Sequence, residues 1–385
     1  MEFTIDYLDA IARVGEDAWD RLFQRRDPFV RYAYLSALEQ SNCVGAASGW
    51  QVSHLALKTS LQGEVVALMP LYIKSHSYGE YLFDWSWAEA YQHHGLDYYP
   101  KLVSAIPFTP VAGERLAIAP DYQQYRAQIA EQVTQALLTK ARALKAQTVQ
   151  CFFYQTQSHF AALARENRWL VRRDVQFYWL NDNYADFDDY LAAMTARKRK
   201  NINKERARVF AAGIRFQWLS GAEMNTGLWQ QFCAFYRATY AKRSGHYGYL
   251  NEAFFSCLGQ TMADDLLLLF ARQQDRIVAA ALFFRDQHTL YGRYWGCEQE
   301  FDFLHFETCY YQGIEYCISR QLSGFNAGVQ GEHKVARGFR PVFAYGAYQI
   351  MRPDFQAAIR DFLEQENLYL QDYHRQMHSR LPFKK

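Results

Sequence analysis

Residues 266 to 296, LLLLFARQQDRIVAAALFFRDQHTLYGRYWG, hold three β-rich apolar runs, each separated from the next by a short polar turn. That spacing predicts an antiparallel meander, and a meander must bury at least one face. The cover is next in line. In LHFETCYYQGIEYCISRQL, residues 304 to 322, Phe306, Cys309, Tyr310, Gly313, Ile314, Cys317, Ile318 and Leu322 lie on one helical face. Upstream, IRFQWL reads as a short strand, and Trp229, Phe232, Cys233, Tyr236 and Tyr240 recur at three- and four-residue steps as a further helix. Downstream, GFNAGVQ and PVFAYGAYQI read as closing strands.

Strand, helices, antiparallel meander, helix, strand, strand is the element order of the GNAT acyltransferase fold. The first half repeats it less cleanly. FTIDYL and a helix around RYAYLSALEQS precede WQVSHLALKT and EVVALMPLYIKSHSYGEYLF, which read as a hairpin. WAEAYQHHGLDYYPKLVSAI then reads as helical, and TVQCFFY as a buried strand behind a long polar helix. At 385 residues and 50% hydrophobic composition, two ordinary cores are expected. The expected fold class is therefore α/β with mixed sheets, as tandem GNAT-like domains over 1–184 and 185–385. The boundary is placed at the polar, helix-rich stretch after the strand RDVQFYWLN.

The charges nearly cancel, with 42 basic against 40 acidic side chains, so any polyanion must be met by a local surface. Seven scattered cysteines without a CxxC pair argue against a disulfide framework and against zinc, and no metal is expected. The acidic N-terminus MEFTIDYLDAIARVGED lacks the features of a secretory signal, and LLLLFA is far too short to span a bilayer, so a cytoplasmic protein without a transmembrane segment is expected. GxSxG, HExxH, GxxxxGK[ST] and GxGxxG are all missing.

Three clusters carry the candidate chemistry. In FNAGVQGEHKVARGFR, His333, Lys334, Arg337 and Arg340 stand among Gly328, Gly331 and Gly338, the composition of a turn that closes on a phosphate or is held by internal ion pairs. RKRKNINKER offers Arg197, Lys198, Arg199, Lys200, Lys204 and Arg206 against the single acid Glu205, which suits a tRNA backbone, an acidic lipid surface met peripherally, or a solvated helix face. HSYGEYLFDWSWAEAYQHHGLDYYPKL gathers His76, Asp84, Trp85, Trp87, Tyr98, Tyr99 and Lys101, rings and charges that could stack on a sugar and fix its polar edge, making an acceptor pocket. His93 and His94, about 100° apart on a helix, cannot easily share a metal ion.

DPFVRYAYLSALEQS, HSYGEYLFDWSWAEAY, YYPKLVSAIPFTPVAGERL, LHFETCYYQGIEYCI and FNAGVQGEHKVARGFRP together resemble the FemAB-like N-acyltransferases, bacterial relatives of the Fem peptidoglycan aminoacyltransferases. The resemblance runs along nearly the whole chain. It implies two GNAT-like domains and transfer of an aminoacyl group from aminoacyl-tRNA to the amine of a peptidoglycan precursor; no cofactor is expected, acyl-CoA being a possible substrate. Some relatives also carry a long helical arm, for which no heptad segment is visible here.

Glu298, Glu300, Asp302 and Glu307, beside the start of the central helix, would repel the diphosphate of coenzyme A. Acyl-CoA therefore stands second as donor. A non-catalytic module binding phosphorylated glycan or nucleic acid is the third expectation. For aminoacyl transfer, Glu307 or His305 is the candidate base, and Arg293 or Tyr291 the group that polarises the ester carbonyl.

Overall fold

A computed structural model describes residues 1–24, 27–329 and 331–384. The chain divides into two packing units. One comprises Met1–Asp174 and Phe343–Gln371, the other Val175–Val342 and Asp372–Lys385. The boundary therefore falls upstream of the expected residue 184, inside a strand, and a late segment returns to the first unit.

In the first unit the chain runs β1 (Phe3–Leu8), α1 (Glu16–Phe23), α2 (Tyr32–Gln40), β2 (Trp50–Val52), β3 (His54–Thr59), β4 (Val65–Met69), β5 (Tyr72–Lys74), α3 (Trp85–His93), β6 (Lys101–Ser104), β7 (Ala117–Ile118), α4 (Arg126–Ala143), β8 (Thr148–Phe152), α5 (His159–Glu166) and into β9 (Leu170–Leu180). β1, β3, β4 and β7 form one antiparallel sheet. β2, β5, β6 and β8 follow one another in a second, where β6 and β8 are parallel. α4 bridges that parallel pair. Its Ile129, Val133, Leu137 and Ala141 are fully or almost fully buried at helical spacing, and each branched side chain removed from water contributes about 1.5–3 kcal/mol.

The expected hairpin forms as β3 against β4, but the ends of the two stretches leave it, because β2 and β5 pair with each other in the other sheet, where β5 also meets β6. β4 and β5 thus fall in different sheets. Pro70 lies between them, and proline cannot donate to a continuing ladder. The helix expected from Trp87 to Ile106 is only α3, and Lys101–Ser104 is a strand. Gly95 at φ 69 ends the helical path, and Pro100 follows.

The second unit continues from β9 through α6 (Phe187–Ala192), α7 (Ala196–Ala211), β10 (Ile214–Ser220), α8 (Thr226–Ser244), α9 (Glu252–Thr261), β11 (Leu266–Gln273), β12 (Arg276–Arg285) and β13 (Thr289–Cys297). α10 (Leu304–Phe306) passes through a π-helical turn (Glu307–Tyr311) into α11 (Gln312–Ser319), followed by β14 (Gly324–Asn326) and β15 (Arg340–Ile350). The meander is as expected: β10, β11, β12 and β13 pair antiparallel in order. α8 buries Trp229, Phe232, Cys233 and Tyr236, with Asn225 as its N-cap and Gly245 in the left-handed conformation at its end.

β13 pairs in parallel with β14 only over Thr289–Tyr291, although it runs on to Cys297. The register of β12 with β13 shifts at Leu282/Phe283, where Arg293 is the extra residue on β13. β14 ends at Asn326, so beyond Tyr291 β13 runs on without it, and the candidate site lies beside that segment. The last helix, α12 (Pro353–Ser379), has 27 residues and was not anticipated from the sequence.

Candidate functional site

β14 ends at Asn326, which is almost fully buried. Its side-chain oxygen accepts from Arg293 Nη2 of β13 at 3.1 Å and from the Gly328 backbone N–H at 3.0 Å. Its amide donates to the Tyr178 hydroxyl at 2.7 Å. Gly328 in turn accepts from Lys334 Nζ at 2.6 Å. Arg293 and Lys334 are thereby tied to one short stretch of chain, the first through the Asn326 side chain and the second through the Gly328 carbonyl.

Lys334 is 1% exposed, yet among the described residues it has no carboxylate partner. Burial pulls its pKa down to about 7, and Arg293 adds to the effect by like-charge repulsion. Close by, Tyr310 and His333 Nε2 share a hydrogen bond at 2.8 Å. The His305 ring packs edge-on against Trp295 and Tyr310, both at 5.3 Å between centroids. Burial lowers the His305 pKa to about 3, helped by Arg243, His333, Lys334 and Arg337. His333, at the exposed rim, falls to about 4 through partial burial and then Arg337, Lys334 and Arg243. Arg243, Lys334 and Arg337 depress both rings by like-charge repulsion, so their surroundings favour an anion.

Gly331 is required beneath this rim. Its φ is 116°, and a Cβ there would come within 2.1 Å of the His333 ring.

The remaining cations of the basic turn face inward. Arg337, 5% exposed, pairs with Glu205 at 2.7 Å, donates to the Tyr311 hydroxyl at 2.8 Å and to the His333 carbonyl at 2.8 Å, and stacks over Phe306. Arg340 pairs with Asp182. Those two are structural clamps and not ligand donors, because their charge is already matched inside the unit. Lys334 is the member of the turn that keeps its charge uncommitted to an acid.

Glu307 and His305 do not act as a pair. Glu307, wholly buried in the π-helical turn, faces Arg206 at 3.0 Å and Gln312 at 2.9 Å. Burial raises its pKa, opposed by Arg206. Its place in the mechanism as a base is thereby corrected: the carboxylate is tied to a guanidinium. His305 is neutral at pH 7 but too weak a base to hold a proton taken from an ammonium. Tyr291 donates its hydroxyl to Asp286 at 2.7 Å, at the turn before β13, so it is an anchor and not an ester-polarising group.

The acids at the central helix are also matched individually: Glu298 with Arg276, Glu300 with Lys242, Asp302 with Arg208 and Glu307 with Arg206. Repulsion of a diphosphate by four bare carboxylates is accordingly weaker than the sequence suggests.

In the first unit, the expected acceptor residues divide into a buried set and a surface set. Lys101 Nζ lies 2.6 Å from Asp84, 2.8 Å from Glu80 and 2.7 Å from the Ser77 hydroxyl, all wholly or almost wholly buried. Asp84 also accepts from Ser77 and Tyr98, both at 2.5 Å, and from Gln150 at 2.8 Å. Trp87 is buried against Tyr348. Asp84, Tyr98 and Lys101 spend their polar groups on one another and Trp87 packs on Tyr348, which makes the four part of the core. The surface keeps His76, Trp85 and the partly exposed Tyr99, and adds Tyr78 and Phe83, which the sequence did not single out. Tyr78 and Phe83 flank Trp85 at 5.0 and 5.8 Å, the latter nearly parallel.

On α7, Lys198 and Arg199 are half-buried. Among the described residues, neither they nor Arg197, Lys200 and Lys204 enter an ion pair.

The family model for FemAB-like proteins, described as peptidoglycan biosynthesis/recognition, matches residues 10–385. The chain belongs to the FemAB-like family. This FemAB-like protein is an acyltransferase with a tandem GNAT-like fold. Among solved structures it is similar to FemX, with a TM-score of 0.50 and 12% identity over 93% of this chain and 99% of that one. L-PGS from Bacillus licheniformis gives 0.48 and 12% over 88% and 97%. A tandem GNAT protein from the clavulanic acid biosynthesis pathway gives 0.46 and 11% over 91% and 99%. No protein of curated function matches the sequence. Among the described residues, no helix is long and apolar enough to cross a membrane.

Proposed function

We propose that this FemAB-like protein transfers an aminoacyl group from aminoacyl-tRNA to an amine of a peptidoglycan-precursor-type acceptor. The observation that carries the proposal is Lys334, a buried amine with no carboxylate among the described residues, held to the Gly328 carbonyl just past the end of β14. An uncompensated buried cation is costly, and its cost falls when negative charge arrives. Aminoacyl transfer generates such charge, first as the donor's phosphates and then as the oxyanion on the ester carbonyl.

The acceptor amine, having lost one proton to solvent, attacks the ester carbonyl and forms the N–C bond. The carbonyl electrons move to oxygen, where Lys334 and Arg293 donate hydrogen bonds to the tetrahedral oxyanion. As the C–O bond to the ribose breaks, the surplus proton on nitrogen passes through Lys334 to the leaving oxygen. A lysine whose pKa lies near 7 can both accept and return that proton. His305 and His333 stay neutral.

The test is reconstitution. Purified protein is given either charged tRNA or a panel of acyl-CoA thioesters, each with nucleotide-linked and lipid-linked peptidoglycan precursors, and the acylated acceptor is read by mass spectrometry. Transfer from charged tRNA is expected. Transfer solely from acyl-CoA would overturn the donor assignment.

A further inference from the structure

A groove of about 560 Å³ opens in the second unit on the side of Glu307 and Gln312, apart from the basic turn. Arg206 and Phe210 of α7, Arg215, Phe216 and Trp218 of β10, Tyr316 of α11 and Arg320 just past its end line it. Its floor is aromatic. Trp218 and Tyr316 pack with centroids 4.9 Å apart, and both rings remain partly exposed. Arg206 is held in place by Glu307 and Glu315, so its charge and that of the groove's own acid Glu315 are matched. Arg215 and Arg320 are exposed and enter no ion pair among the described residues.

The cationic surface continues beyond the groove. Arg199, Asn203, Arg206 and Phe210 are spaced four, three and four residues apart, which sets them on one face of α7, with Lys200 and Lys204 on the adjoining face. Arg199, Lys200 and Lys204, as noted for α7, carry charges that no described acid matches.

We infer that this groove binds single-stranded nucleic acid, its bases stacking on Trp218 and Tyr316 and its phosphates following Arg215, Arg320 and the Arg199/Lys200/Lys204 row. Aromatic rings recessed between unpaired cations are the means by which proteins hold single strands without reading their sequence. The concavity argues against a lipid bilayer, which is met by projecting rings. The inference rests on the tRNA-donor proposal for its biological sense, since a single-stranded segment of the donor would be its occupant.

Fluorescence anisotropy with a labelled single-stranded RNA of about 12 nucleotides, within the span such sites cover, tests it. Duplex RNA of the same length and phosphatidylglycerol vesicles serve as competitors. The exposed double substitution R215E/R320E should weaken single-strand binding at least about tenfold and flatten the salt slope by about 1.4, roughly 0.7 for each phosphate no longer neutralised. W218A should weaken it about as much while leaving the salt slope unchanged. Wild-type affinity in R215E/R320E, with unaltered melting, would overturn the inference. So would preference for duplex RNA, or binding of the vesicles and not of the RNA. If R215E/R320E keeps wild-type RNA affinity while transfer from charged tRNA proceeds, the groove assignment fails and the donor assignment stands. If RNA binds the groove but charged tRNA supports no transfer, the reverse holds.

Discussion

Lys101 in the first packing unit and Lys334 in the second are both buried almost completely, and their surroundings are opposite. Lys101 lies between Asp84 and Glu80, and these two acids raise its pKa despite full burial. Lys334 meets a single backbone carbonyl and other cations, and burial pulls it down to about 7. Burial alone therefore does not mark a functional lysine. The decisive difference is whether the protein supplies the counter-charge or leaves it to a ligand. Lys101 completes a closed internal network, whereas Lys334 is left to be completed from outside.

The largest effect should come from breaking the closed network. Lys101→Met strands Asp84 in the core, leaves Glu80 with Lys74 at 3.9 Å alone, and should cost about 3–5 kcal/mol of stability in denaturant unfolding of the whole chain. A loss below about 1 kcal/mol would mean that the two carboxylates simply take up protons, and the contrast would fail. Lys334→Met should do the opposite, lowering transfer about 10²-fold or more while leaving stability equal or higher, since a costly charge is removed. Transfer at the wild-type rate would remove Lys334 from the chemistry.

A pH series sharpens the contrast further. With its folded pKa near 7 and its ordinary value 10.5, Lys334 binds fewer protons in the folded protein than in the unfolded chain between those limits. Stability contributed through this group must therefore rise with pH across that window, with the full penalty present below pH 7. The stability of the wild type relative to Lys334→Met should climb from about pH 7 to about pH 10, as measured by urea midpoints. A flat difference would show that Lys334 keeps an ordinary pKa. The smallest effect is expected at His305→Phe. A ring that is already neutral and too weak a base should be replaceable with a change in turnover within about threefold and the pH profile intact.

The second unit was the more legible because its signals are local. Alternating apolar runs, tight polar turns and the 3.6-residue spacing of residues 304–322 each fix an element without help from distant sequence. In the first unit the elements were recognised but their partners were not, since neighbouring short strands such as β4 and β5 join different sheets. α12 escaped notice because Phe355, Ile359 and Leu363 keep helical spacing for only a few turns, after which Leu368 and Tyr369 face solvent. Charge among aromatic residues was visible at both Asp84–Lys101 and His333–Arg337. Which charges of the basic turn are neutralised depends on Glu205 and Asp182, far along the chain, and no spacing rule reports that. The groove at Trp218 was missed for the same reason, as its walls come from three separate elements.

The π-helical turn at Glu307–Tyr311 has one further consequence. A surplus residue in a helix changes its phase, so the stretch before the turn aims His305 and Phe306 at His333 while the stretch after it aims Gln312 and Tyr316 into the groove. Deleting a single residue there would return the helix to uniform winding and rotate one set of side chains by about 100° relative to the other. One rod could then no longer serve both clients, and the spare residue is what lets it do so.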